Sequence, residues 1–325
     1  MTRARLRYLR RVTAAYLGSG PSQLTFWHES PKTNPAAFAE PLGEYYQCFF
    51  TKADYVAHTD GDGVPMLDYR GHIGRQYNPI AIAQWGLGNW NLWRRTGDAD
   101  RHRRWTLAAD WLVENLSPNP HGIPVWKHHF DWEYRDTLRA GWYSALAQGQ
   151  GLSLLCRAHR AAGDERYLDA AHAAFGAMTV PTSEGGVLVR DGADGAWLEE
   201  AVVDPPTHIL NGFLWAMWGV RDYALASETR AAWALLGACT RTLRRNLLAF
   251  DCGFWSLYEQ SGTRLPMLAS PFYHGLHVNQ LAITARLLDE PELASWSERW
   301  SGYATRAWCR RRAFAQKALF KLLYY

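Results

Sequence analysis

The chain has 325 residues, 48% hydrophobic and 20% charged, with 17 Trp, 16 Tyr and 12 Phe. That apolar content buries a large core and excludes a disordered or acidic-tail protein, and no apolar run reaches the roughly 18 residues of a membrane span. The net charge of +4 hides two basic ends, Arg3, Arg5, Arg7, Arg10 and Arg11 at the start and Arg306, Arg310, Arg311, Arg312, Lys317 and Lys321 at the finish, which leave 24 cations facing 31 acids in between.

In chain order, residues 1–76 read as an irregular arm with Gly and Asp turns such as HTDGDGVP (58–65), expected to lie across the mouth of the body. From residue 77 to 309 the apolar pattern is helical and recurs in four pairs, joined at Gly97, at Gly163, near Ser227 and near Glu290, so the turns lie 66, 64 and 63 residues apart. In each pair the first helix, starting near 79, 143, 207 and 274, is apolar nearly all round and the second is charged on one face. This pattern predicts a mainly α protein, an (α/α) barrel or toroid of about four helix hairpins with inner and outer layers. Three Gly-bearing segments with strand character, HGIPVWKHHF (121–130), GGVLVRDGADGAWLEE (185–200) and CGFWSLYEQSG (252–262), predict short hairpins at one rim, where a pocket walled by loops is the default site.

Residues 310–325, RRRAFAQKALFKLLYY, form a basic amphipathic tail. It reads either as a solvated helix packed on the body or as a peripheral contact with an anionic membrane. The basic start lacks the apolar core of a secretory signal, so the expected location is cytoplasmic, peripheral at the inner face of the membrane if the termini bind there. Five cysteines without CxxC spacing are expected to be reduced and inert. Nucleic-acid binding is not expected, because no basic groove or known module appears. A homodimer stays open.

Candidate chemistry gathers where rim segments run into inner helices. Gln148, Gln150 and Asn211 lie on apolar helices and are either interior hydrogen-bonders or ligand contacts. Glu199 and Glu200 end a strand-like run, and Asp204 precedes two prolines. Asp131, Glu133 and Asp136 are further carboxyl candidates. Tyr273, His274 and His277 precede a helix without a second ligand cluster, so no metal site is expected.

Several blocks in fixed order, GVP (63–65), YNPIAIAQWGL (77–87), GWYSALAQGQ (141–150), LEE followed by LNGF (198–213), FDCGFWSLY (250–258) and YHGLHVNQL (273–281), carry a resemblance over roughly 60–305. Together they resemble the C-terminal helical domain of the D-glucuronyl C5-epimerase family, in a short form lacking the β-rich insertion of the animal enzymes. The resemblance implies an (α/α) barrel and an isomerase that converts D-glucuronate to L-iduronate within a heparosan-like acidic polysaccharide, without an organic cofactor. It carries the acid/base groups onto Glu200, Tyr258 and Tyr273. Two stretches depart from the family pattern. Ala201, Val202 and Val203 stand where Tyr, Pro and Thr are common, and Ser261 replaces an arginine for which Arg264 is the nearest substitute.

The chemistry explains why such groups are wanted. The hydrogen at C5 of a uronate is a very weak carbon acid beside a negative carboxylate, so donors must neutralise that carboxylate while an acid and a base act at opposite faces. Tyr258 and Tyr273 are assigned as the proton-transfer pair, their phenols lowered by a neighbouring cation, with Glu200 tuning or replacing one of them. Trp142 and Tyr143 are the sugar platform. Arg264, His274 and His277 are assigned to the carboxylate, with Gln148, Asn211 and Asn279 as other substrate contacts and Arg135 and Arg139 for polymer anions. The rival readings are a polyuronate lyase, a glycosidase using Glu200 with Asp204 or Asp131, and a polysaccharide-binding protein without activity.

Overall fold

The computed structural model describes Leu6 and residues 23–324; the arginines of the basic start lie outside the described residues. The arm carries two short helices, α1 (Gln23–Trp27) and α2 (Phe50–Ala53), a 3-10 turn at Pro35–Phe38 and a two-residue hairpin, β1 (Leu67–Asp68) with β2 (Arg75–Gln76). Four helix pairs follow. They are α3 (Pro79–Thr96) with α4 (Ala99–Asn115), α5 (Ala145–Ala162) with α6 (Glu165–Thr179), α7 (Leu210–Ser227) with α8 (Arg230–Asn246), and α9 (Pro271–Leu288) with α10 (Pro291–Thr305). A last helix, α11 (Ala307–Tyr324), closes the described chain.

Local chemistry sets these boundaries. Asn78 caps α3 by accepting from the amides of Ile80 and Ala81, and Pro79 occupies the first turn, where its missing N–H is no loss. Ser144 caps α5 through Ala147, and Ser270 caps α9 through Tyr273. The first two pairs turn at Gly97 and Gly163, both at positive φ. The last two turn on Glu228 and Asp289, which take the same left-handed conformation with a side chain, so the sequence marks those turns less sharply.

The first helices of the pairs pack on one another in chain order, α3 on α5, α5 on α7 and α7 on α9, and the second helices cover them. The inner helices are buried in long continuous runs, Ala145 to Ala158 in α5 for example, whereas α4 and α8 bury one stripe. The rim carries hairpins β3–β4 (Ser117–Pro118, Pro124–Val125), β5–β6 (Trp132–Glu133, Thr137–Leu138) and β7–β8 (Leu188–Asp191, Gly195–Leu198). The segment expected as the third short hairpin forms only isolated bridges, Asp251 with Ser256 and Leu257 with Leu268.

The arm does more than lie across the mouth. Residues 45–49 run among the inner helices: Asn91 of α3 accepts from the Tyr45 amide, Gln150 of α5 donates to the Tyr45 hydroxyl, and Trp215 of α7 donates to Gln47. Gln47 in turn donates to Asn279 of α9, which donates to Thr33. Tyr46 donates to Asp222, which also pairs with Arg157 at 2.6 Å, both side chains fully buried. The arm thus bridges from α3 to α9 through the centre of the helix array.

Candidate active site

A cavity of about 230 Å³ lies at the N-terminal ends of the inner helices. Asn78, Ile80 and Gln84 reach it from α3, Leu146 from α5, Asn211 and Trp215 from α7, and Phe272, Tyr273 and Leu276 from α9. Four helix starts directed at one space favour an anionic guest, because the positive end of each helix dipole lies there. The rim contributes Phe130, Trp132, Trp142, Glu200 and Tyr258, and the arm contributes Trp27, His28, Phe49 and Lys52.

Glu200, Tyr258 and Tyr273 meet in this cavity. The two tyrosine rings pack edge to face with centroids 4.9 Å apart. Glu200 follows β8, and its carboxylate accepts from Asn211 Nδ2 at 3.3 Å. It lies over Gly212, where a side chain would not fit: a Cβ there would stand 2.1 Å from Glu200 Oε2. Burial, with added repulsion from Glu259 and Glu199, pushes the Glu200 carboxyl up to about 8. The neighbouring Glu199 is held away by His208, whose ring Nδ1 lies 2.5 Å from it and whose amide donates to it. The pair is therefore split: Glu199 fixes the loop before α7 and Glu200 faces the cavity.

Tyr258 differs from the expectation of a lowered phenol. Burial and the negative field of Glu200 hold Tyr258 well above its ordinary value, so it stands as a protonated hydroxyl. Glu259, beside it in sequence, accepts from Tyr134. Lys317 of α11 lies 5.8 Å from the centroid of the Tyr258 ring and donates to the Leu268 carbonyl, on the bridge that positions Tyr258. Ala201, at the family's tyrosine position, is buried in a small apolar cluster with Leu138 and Ile209 against which Tyr258 packs.

Of the remaining assigned residues, Trp142 lines the cavity as a fixed plate, stacked on His128 at 3.6 Å and donating to the Phe130 carbonyl. Asn211 lines it too, with its Oδ1 unpartnered. Tyr143 instead borders a second depression with Arg139, Asp136 and Asp204, which shares Trp142 with the first. Gln148 is fully buried and donates to the Ser144 carbonyl, a consequence of the apolar helix around it. His274 and His277 lie outside the lining. His274 stacks on Trp255 and contacts Ser256 and the Trp300 carbonyl, His277 contacts Ser256, and burial drives both below the ordinary imidazole range. Arg264 is exposed on a loop away from the lining. Asn279 ties the arm to α9.

Two of the lining residues that were not anticipated carry polar groups into the interior. Lys52 is buried, donates to the Phe26 carbonyl at 2.8 Å, lies 4.4 Å from the Phe26 centroid, and is pushed down by burial to about 7. Gln84 is fully buried with both amide atoms unpartnered, which marks a place where a polar guest completes the hydrogen bonding. Lys52 gave no signal in the sequence because the arm has no periodicity; Gln84, an amide within the apolar first half of its helix, did carry one. Among the described residues no group of three or more His, Cys, Asp or Glu side chains is arranged to hold a metal ion.

The family model described as D-glucuronyl C5-epimerase C-terminus matches residues 121–302, more than half of the chain. The chain belongs to this family. It is similar to the D-glucuronyl C5-epimerase of Caenorhabditis elegans, with 33% identity over 212 residues covering 61% of this chain and 34% of that protein. An uncharacterized protein of Methanocaldococcus jannaschii is 31% identical over 160 residues, 48% of this chain and 50% of its own length. The chain thus spans a third to a half of the length of these curated relatives. The unsaturated glucuronyl hydrolase of Bacillus sp. GL1, described as responsible for the degradation of glycosaminoglycan, superimposes with a TM-score of 0.43 at 14% identity, over 72% of this chain and 61% of its own; that likeness is too low to carry an argument. The match to the C5-epimerase C-terminus takes in Trp142, Glu200, Asn211, Tyr258 and Tyr273. The arm wall with Lys52, the helix with Gln84, and α11 lie outside it.

Proposed function

We propose that this member of the C5-epimerase family is a uronate epimerase acting on an acidic polysaccharide, turning D-glucuronate into L-iduronate in a heparosan-like polymer. The helix pairs are read as an (α/α) toroid with its site at the hairpin rim. The observation that carries the reading is one cavity in which a carboxyl raised to about 8 adjoins the Tyr258 hydroxyl, held protonated, with the Tyr273 ring packed against it. Groups whose environments push them apart in this way divide naturally into base and acid.

In this reading the Glu200 carboxylate removes the C5 hydrogen as a proton, the C5 electron pair delocalises into the uronate carboxyl group, and a tyrosine, Tyr258 or Tyr273, donates its hydroxyl proton to the opposite face. Glu200 ends protonated and the tyrosine ends as phenolate. The steps help each other, because neutralising Glu200 removes part of the field that raises Tyr258. Lys52, rather than Arg264 or the histidines, is the cation proposed to meet the uronate carboxylate, with the four helix starts adding their dipoles. Trp142 and Trp132 offer stacking faces to the sugar.

Incubation with heparosan-type polymer in deuterated water tests this. Deuterium entering C5 without chain cleavage, lost in Glu200→Gln and Tyr258→Phe, is the expected result. Ultraviolet absorbance from an unsaturated uronate would instead establish a lyase, new reducing ends a glycosidase, and binding without exchange a carbohydrate-binding protein.

A further inference from the structure

We propose that the outward face of α11 is a docking surface for membranes rich in anionic lipid. Among the described residues ten large hydrophobic side chains are exposed, and six of them, Trp308, Phe314, Leu319, Leu322, Leu323 and Tyr324, lie on this one helix. Phe314 is 75% exposed and Leu322 71%. Scattered exposed apolar residues are ordinary, but a concentration on one surface element marks an interaction site. At 3.6 residues per turn Arg311, Phe314, Ala318 and Leu322 share one outward stripe, flanked by Trp308 and Leu319 on one side and by Arg310 and Lys321 on the other. The helix contains no acidic residue.

Charge chooses the partner. An apolar stripe laced with arginine and lysine fits a surface that is apolar in depth and negative at its rim, which is the chemistry of an anionic bilayer interface. The opposite side of the helix is already fixed to the body. Cys309, Ala313 and Phe320 are buried, Tyr324 accepts from the Leu265 amide at 3.3 Å, and the Arg312 guanidinium sits 4.1 Å from the Phe254 centroid. The outward face is therefore held ready before any lipid is met, and none of its residues belongs to the proposed catalytic cavity.

The whole chain is to be sedimented with large vesicles of phosphatidylcholine alone or mixed with phosphatidylglycerol, at low and high salt, and its lipid-free mass measured in parallel by analytical ultracentrifugation. The expected result is co-sedimentation with the anionic vesicles only, weakened by salt. Each cation reversed in Arg310→Glu and Arg311→Glu should lower partitioning by about fivefold or more, and Phe314→Ser with Leu322→Ser should also abolish it while circular dichroism stays unchanged. No vesicle binding, or binding indifferent to both pairs of substitutions, overturns the proposal. So does a lipid-free dimer that Phe314→Ser disperses, since the face would then belong to a second copy of the chain.

Discussion

Glu200 is useful as a base only when ionised, and Lys52 binds a carboxylate only when protonated. With ionisations near 8 and near 7 the form carrying both charges is a minority at every pH, so kcat/KM should climb up to about 7, peak between 7 and 8 and fall above about 8. Lys52→Met should remove the falling limb and raise KM, read from pH profiles on the polymer. The same substitution should make the fold more stable. A buried lysine whose folded value is depressed binds fewer protons folded than unfolded, so its penalty is full below about 7 and fades as pH rises toward 10.5. Urea titrations at pH 6 and pH 10 should show the gain from Lys52→Met at the lower pH and little at the higher. Glu200→Gln should cost roughly 10³-fold in deuterium exchange. Gly212→Ala tests placement alone: its methyl would displace the Glu200 carboxylate, and a shift of about 1 Å costs about 10²-fold in rate. Equal exchange by Gly212→Ala and the parent would mean that Glu200 has no fixed role. Glu200, Tyr258 and Tyr273 could be named in advance because the resemblance to the family carries its acid/base groups onto them. The second cluster of assignments, Arg264, His274 and His277, missed the cavity because a polar residue near a helix start has as many ways to face Ser256 or solvent as to face a ligand.

Helices α5 and α7 approach through glycine. A Cβ on Gly219 would stand 2.1 Å from the Gly149 carbonyl oxygen, and one on Gly149 would stand 2.5 Å from the Ala216 Cα. Gly219→Ala should therefore destabilise the fold by about 1–3 kcal/mol through overpacking, measured by urea denaturation; an unchanged midpoint would show that the two backbones can part freely. The helix pairs were legible because caps and breakers act locally. Asn78 with Pro79, Gly97, Ser144 and Gly163 each fix a boundary with atoms a few residues away. Strands were harder. β5 and β6 are two residues each and lie in a run of mixed aromatic and charged residues, and the Leu268 carbonyl at the bridge to Leu257 is met by Lys317 of α11, 49 residues further along the chain.

Long-range burial holds the arm and the helix array together. Arg157 and Asp222 form an ion pair with no exposure, Tyr46 donates to Asp222, and the Arg157 Nε donates to the Gly43 carbonyl. Asp222→Ala would strand the guanidinium in the interior and should cost about 3–5 kcal/mol in denaturation experiments; a loss below about 1 kcal/mol would mean that the arm is not seated there. No pattern in residues 23–76 announces this seat, because every partner is remote in sequence and the arm's own hydrophobicity has neither helical nor strand periodicity. The bond from Asn279 to Thr33 spans 246 residues. At a translation speed of about 5–20 residues per second, the arm emerges from the ribosome roughly 10–50 s before its last anchoring helix. Tyr45, Tyr46 and Phe49 meet the rings of Trp215 and Trp218 once α7 has been made, but Thr33 and Gln47 wait for Asn279, so a nascent chain should be most vulnerable to aggregation or to a chaperone's grip in this arm, and the cavity wall that carries Lys52 can be completed only after α9 has been made.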